Sequence, residues 1–151
     1  MKNKKVLITG VTGFLGSNLA RKLLKLNFIV IGINKSNKIK NLSTNETKLI
    51  KIYKWKAGCS EKIFKENKNI DFVIHTATNY GRNSEKLQSI LESNLLLPLE
   101  LIKTAENYNI KVFINTDTFI EQFTNYYSMS KNQFLQWFKF FSKKKLFKFL
   151  N

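Results

Sequence analysis

Tyr127-Ser128-Met129-Ser130-Lys131 sets a phenol and an ammonium four residues apart. On a helix that spacing puts both on one face. A phenol with its ordinary pKa of about 10 transfers protons poorly near neutrality, and a neighbouring cation favours its ionised form. Tyr127 and Lys131 are therefore a candidate acid–base pair. Taken alone, Tyr-x-x-x-Lys is common by chance, and the bland reading is a surface tyrosine and lysine. Tyr126 is the poorer candidate phenol, because Lys131 lies five residues beyond it.

The second chemistry-bearing segment is Thr9-Gly10-Val11-Thr12-Gly13-Phe14-Leu15-Gly16. Gly10 allows a tight turn off a strand. Gly13 lets backbone approach a diphosphate, and Gly16 lets a helix pack close to a sheet. A helix starting there offers free N–H groups and a positive dipole end to an anion. Thr12, Phe14 and Leu15 complete the loop. The bland reading is a tight strand-to-helix turn.

A third segment, Asn34-Lys35-Ser36, follows the next apolar run. NAD-binding sites usually carry an acid there to accept from the ribose 2′-OH. Here no carboxylate repels a 2′-phosphate, and Lys35 attracts one. The expected cofactor is therefore NADP(H), favoured over NAD(H). The competing reading makes Lys35 one more solvated lysine. One His and one Cys leave no zinc site.

These residues need elements to hold them. Residues 5–9, 28–33, 48–54, 70–76 and 110–116 read as strands, mostly short apolar runs. Residues 15–27, 60–68, 85–107 and 126–142 read as helices, with Pro98 kinking or breaking the third. The polar stretch 34–47 reads as a loop. Alternating strands and helices predict an α/β fold: a Rossmann-like, doubly wound parallel sheet of about five strands with right-handed crossovers. One domain covers 1–151.

The GxxGxxG spacing after a first strand, with Tyr127 and Lys131 later, resembles the short-chain dehydrogenase/reductase superfamily, in its extended branch of nucleotide-sugar epimerases, dehydratases and reductases. The resemblance covers nearly the whole chain. Ile74-His75-Thr76-Ala77-Thr78 is similar to the family's cofactor-side loop, which adds Thr76, Ala77 and Thr78 to the cofactor contacts. Asn94 matches an Asn that many members carry in the fourth helix. Trp55-Lys56-Ala57-Gly58 departs from the pattern, since members commonly have an Asp there near the adenine. The resemblance implies that Lys131 donates to the nicotinamide ribose and that a Ser or Thr after strand five joins the pair. Thr118 is the first candidate and Thr116 the second. INTDTF, YYSMSKNQF and HTATNYGR together look most like abequose/paratose-type reductases of CDP-linked 4-keto sugars.

The substrate implied is thus a nucleotide sugar, CDP-linked by this resemblance. Tyr127 would protonate the developing alkoxide, with Thr118 stabilising the same oxygen. Tyr80, Gly81 and Arg82 would lie near the sugar. His75 is expected to be structural. Reduction, epimerisation and dehydration use the same Tyr and Lys and stay open. Dehydratases usually carry an Asp-Glu pair beside the catalytic Ser/Thr, whereas Phe119 and Ile120 follow Thr118 here. Extended members run roughly twice this length, so the C-terminal substrate-binding part is expected to be absent, leaving a cofactor site without a complete substrate pocket and an inactive chain as one expected outcome. Strand five would then be an exposed edge. A non-catalytic fragment paired with a companion chain is the alternative. The resemblance also implies a homodimer through the fourth and last helices, the last carrying Phe134, Leu135, Trp137, Phe138, Phe140 and Phe141.

The formal charge is +16, with 26 Lys and Arg against 10 acids. Such an excess suggests a basic nucleic-acid-binding module. The lysines are scattered, however, with small clusters at Lys2–Lys5 and Lys143–Lys145, and only Arg21 and Arg82 are arginines. Bidentate readers are missing, so no nucleic-acid partner is expected. No apolar run is long enough to span a bilayer, and the glycine-broken amino terminus is a poor signal peptide. With the single Cys59 these features predict a cytoplasmic protein that binds no membrane.

Overall fold

The computed structural model describes residues 4–36, 39, 41–144 and 147–151. Its strands are β1 (Lys5–Thr9), β2 (Ile29–Asn34), β3 (Lys51–Lys54), β4 (Phe72–His75), β5 (Val112–Asn115) and β6 (Lys148–Leu150). They form one sheet in the order β3-β2-β1-β4-β5-β6, parallel throughout. The helices are α1 (Phe14–Lys25), α2 (Thr44–Lys48), α3 (Ser60–Glu66), α4 (Leu87–Leu91), α5 (Leu97–Ala105) and α6 (Tyr126–Ser142), with a π-helical turn at Glu92–Leu96. The expectations for Lys2, Lys145 and part of the 34–47 loop (37, 38 and 40) fall outside the described residues.

The register explains where the site lies. Thr9 sits beside Ile33 on one side and His75 on the other, and His75 sits beside Asn115. The carboxyl ends of four strands are therefore level. The chain steps outward from β1 to β3, then returns to the other side of β1 as β4. That reversal opens a crevice between β1 and β4, where α/β sheets bind ligands.

Alternation along the strands separates two cores. Leu7, Ile31, Val73 and Phe113 face Phe64, Leu101, Ile102 and Phe134 of α3, α5 and α6. Val6, Ile8, Val30 and Ile74 face Ala20 of α1 and the neighbouring Leu19 and Leu23. Each such fully buried side chain contributes about 1.5–3 kcal/mol through removal from water. This packing makes the strand ends a rigid platform.

Three expectations need correction. The expected order 3-2-1-4-5 of about five strands is present and extended by a sixth: β6 pairs with β5, so β5 is not an edge. Phe149 of β6 packs its ring 4.9 Å from Phe138, edge to face. Within the expected loop, α2 forms because Ser43 and Glu46 make a capping box, and Arg21 pairs with Glu46 to tie it to α1. The expected helix 85–107 is two helices joined by the π turn. Pro98 sits in the first turn of α5, where a missing N–H is harmless. It has no N–H for the Asn94 carbonyl four residues back, and the wider π turn accommodates that loss.

Candidate active site

The glycine loop is a cradle that side chains would fill. Gly10 has φ +66°, and a Cβ there would come within 2.8 Å of Ala77 Cα. A Cβ on Gly16 would meet the Gly10 carbonyl oxygen at 2.2 Å, and one on Gly13 would meet it at 3.1 Å. Gly13 is the N-cap of α1 and offers no side-chain cap, and the first turn holds no acid. The first N–H groups of α1 therefore point at the crevice without a side-chain acceptor. The arrangement suits a diphosphate.

A cavity of about 560 Å³ opens there. It is lined by Gly10, Thr12, Gly13, Phe14, Leu15 and Gly16 from the loop, by Asn34, Lys35 and Ser36 beyond β2, and by Thr76, Ala77 and Thr78 beyond β4. Tyr127 closes the far wall. Those sequence-singled residues thus share one cavity. Thr118, Lys131 and Asn94 do not line it. Trp55, Ser93, Leu97 and Asp117 do, and sequence reasoning missed them as site residues. Position just past β5, at the carboxyl edge of a parallel sheet, is the signal that points to Asp117.

Tyr127 and Lys131 take their position from the start of α6. Asn125 accepts from the Ser128 N–H at 2.9 Å, and Ser128 Oγ accepts from the Asn125 N–H at 3.2 Å. This capping box fixes the first turn and aims Tyr127 into the cavity. Tyr127 is 6% exposed, and its ring lies 4.9 Å from that of Tyr80. Arg82 stacks its guanidinium on the other ring, 4.7 Å from the Tyr80 centroid. Arg82 is therefore a brace on Tyr80 and does not line the cavity.

Lys131 is wholly buried, and its Nζ donates to the Thr116 carbonyl. Burial lowers its pKa to about 8, partly offset by the Asp117 carboxylate. An ammonium has three donors, and Thr116 satisfies one. The Thr116 hydroxyl donates to the His75 carbonyl at 3.0 Å. The Thr118 hydroxyl accepts from the Ile120 N–H at 3.1 Å, on the loop just outside the cavity.

His75 and Asn94 act behind the wall. Thr9 Oγ1 accepts from the Thr76 and Ala77 N–H groups and lies 2.8 Å from His75 Nδ1. Its own proton therefore goes to Nδ1, which leaves the imidazole proton on Nε2. Burial, with the Lys131 charge nearby, holds His75 far below its ordinary pKa, so it is neutral. Asn94 is buried; its Oδ1 accepts from the Asn79 N–H, and its Nδ2 donates to the Asn79 carbonyl and to Ser130 Oγ. It clamps the loop after β4 to α6. At the mouth, Lys35 Nζ reaches Glu92 and Ser89, and Asn34 Nδ2 donates to the Ser36 carbonyl. Among the described residues no group of three His, Cys, Asp or Glu could hold a metal, and no helix is long and apolar enough to cross a membrane.

A parallel sheet with a glycine cradle at its switch point, and a buried lysine one turn beyond a cavity-lining tyrosine, is the arrangement of a Rossmann-like fold with a candidate acid–base pair. The chain belongs to the NAD dependent epimerase/dehydratase family, which it matches over residues 6–138. A CDP-abequose synthase of Salmonella muenchen is 31% identical over 131 residues, which are 86% of this chain and 43% of that protein. The chain thus spans under half the length of that relative. Among solved structures, the UDP-glucose 4-epimerase of Thermotoga maritima with UDP-glucose superposes with a TM-score of 0.80, at 21% identity, over 96% of this chain and 53% of that one. The UDP-glucose 4-epimerase of Bifidobacterium longum in complex with NAD+ and UDP gives 0.78 at 23% identity, over 94% and 50%.

Proposed function

We propose that this chain is the cofactor-binding and catalytic half of a nucleotide-sugar oxidoreductase of the 4-keto-reductase type. The single observation that carries the reading is Tyr127 in the wall of the glycine-cradled cavity, with Lys131 buried one turn behind it. The cradle fits a nicotinamide dinucleotide: Gly10, Gly13 and Gly16 leave room for backbone contact, and the uncapped α1 terminus awaits an anion. Gly10–Gly16, Asn34–Ser36 and Thr76–Thr78 would hold it, while Lys131 uses its remaining donors on ribose hydroxyls. When bound, the cofactor supplies a hydride to the keto carbon.

The chain's own residues handle the proton. Tyr127 gives its proton to the substrate oxygen as that oxygen becomes an alkoxide. Lys131, one turn further along α6, supplies the positive charge of the pair and is itself held by the Thr116 carbonyl. Thr118, on the loop just outside the cavity, and Thr116, which lines it, are the two hydroxyls proposed for the same substrate oxygen. The likeness to a CDP-abequose synthase supports a CDP-linked substrate and reduction. Phe119 and Ile120 after Thr118 count against dehydration, and epimerisation with the same Tyr and Lys is the second reading. NADP(H) is the favoured form, because Lys35 lines the cavity and no carboxylate stands among Asn34–Ser36. A nucleic-acid partner is the less favoured reading, because the lysines are scattered along the chain and only Arg21 and Arg82 are arginines. A homodimer through the segment α4–π turn–α5 and α6 is supported by exposed Leu96, Trp137 and Phe140.

The test follows NADPH absorbance with a CDP-linked 4-keto-6-deoxyhexose. The chain spans under half of its relative, so turnover is expected once a companion carboxyl-terminal half is supplied, and Tyr127→Phe should lower it by about a hundred- to ten-thousand-fold. NADPH that binds and is never oxidised even with that companion would overturn the reductase reading.

A further inference from the structure

The end of β2 and the last turn of α4 meet across the mouth of the cavity. Lys35 Nζ lies 2.7 Å from Glu92 Oε2, 2.9 Å from Ser89 Oγ and 3.4 Å from the Ser89 carbonyl. Glu92 Oε1 accepts from Gln88 Nε2 at 3.1 Å. Ser89 Oγ also accepts from the Asn79 amide at 3.2 Å. Both charges are therefore held from several sides, by residues up to 57 apart in sequence. Lys35 lines the cavity, and so does Ser93 next to Glu92, whereas Glu92 itself does not.

We infer that Glu92 is a specificity-determining residue for the cofactor: it is an internal counter-ion that competes with a 2′-phosphate for the Lys35 ammonium. The inference rests on the reading that this cavity takes a nicotinamide dinucleotide. NAD(H) brings only a hydroxyl to this wall and leaves the ion pair intact. NADP(H) brings a phosphate whose attraction to Lys35 is opposed by the nearby carboxylate. Among Asn34, Lys35 and Ser36 only Lys35 is charged, so the state of this pair decides how far the wall favours phosphate. The side chains of Lys35 and Glu92 are 42% and 26% exposed, which keeps the effect moderate and sensitive to salt.

Calorimetric titration of NAD+ and NADP+ tests this on the whole chain and on E92Q, K35A and K35A/E92Q. Glutamine keeps the size of Glu92 and one of its two acceptor oxygens, and removes its charge. E92Q should tighten NADP+ by about three- to tenfold and move NAD+ by less than about twofold. The gain should shrink in high salt and vanish in the K35A background, which assigns the effect to Lys35. A gain that survives in K35A/E92Q, or equal shifts for both nucleotides, overturns the Glu92 assignment and leaves the cofactor reading standing. If neither nucleotide binds the unaltered chain, both fall together.

Discussion

Lys131 is the residue on which the site's chemistry and its stability meet. Its pKa of about 8 stands against the ordinary 10.5 because burial disfavours the charge. Below pH 8 folded and unfolded chains both carry the proton, and the burial penalty is fully present. Between about pH 8 and 10.5 only the unfolded chain holds it, so folding stability contributed by this group rises with pH, by up to about 3 kcal/mol. Lys131→Met removes the group. Denaturant unfolding at pH 7.5 and pH 10 should show the unaltered chain gaining on the variant at the higher pH, and identical changes in both would count against the buried ammonium. The cavity residues Gly10–Gly16, Asn34–Ser36 and Thr76–Thr78 are legible in the sequence because each follows a strand that ends at one edge. The setting of Asn94 and Thr118 is not. A side chain on a π turn, or on a loop past a strand, obeys no period that could aim it.

At the scale of elements, the β1–α1 junction bears the tightest constraint. Gly16 faces the backbone of Gly10, which cannot yield, and a Cβ would sit 2.2 Å from its carbonyl oxygen. Gly58 adopts φ +81° with open space around it. Gly58→Ala should cost about 1 kcal/mol through backbone conformation alone. Gly16→Ala should cost clearly more, about 2 kcal/mol or above, because strand and helix must part. Chemical denaturation of the two variants checks the order, and equal losses would remove the close approach from the account. The long elements are legible: α6 spans Tyr126–Ser142, the range its aromatic pattern predicts. The short ones are not. β6 has three residues interrupted by charge, and only packing of Phe149 on Phe138 and Phe147 identifies it. For α2 the Ser43–Glu46 capping signal is present in the sequence but lies inside a polar run that reads as loop.

For the molecule as a whole, the parallel order follows from the alternation of strands and helices, and the site follows from the order. The aromatics of α6 divide by face: Phe134, Phe138 and Phe141 are buried, whereas Trp137 and Phe140 remain about half exposed. Light scattering should therefore return a dimer mass, and a clean monomer would contradict pairing through this face. The +16 charge, which by itself suggests nucleic acid, is spread over lysines scattered along the chain. The charges that bear on the proposed function are those at Lys35 and Lys131. All of this depends on one claim, that the glycine-cradled cavity binds a nicotinamide dinucleotide. Thermal unfolding with and without NADPH and NADH measures it most directly. Saturation at about a hundred times the dissociation constant should add about 2.7 kcal/mol, raising the midpoint by roughly 5–10 °C. No shift with either nucleotide at millimolar concentration would contradict the account.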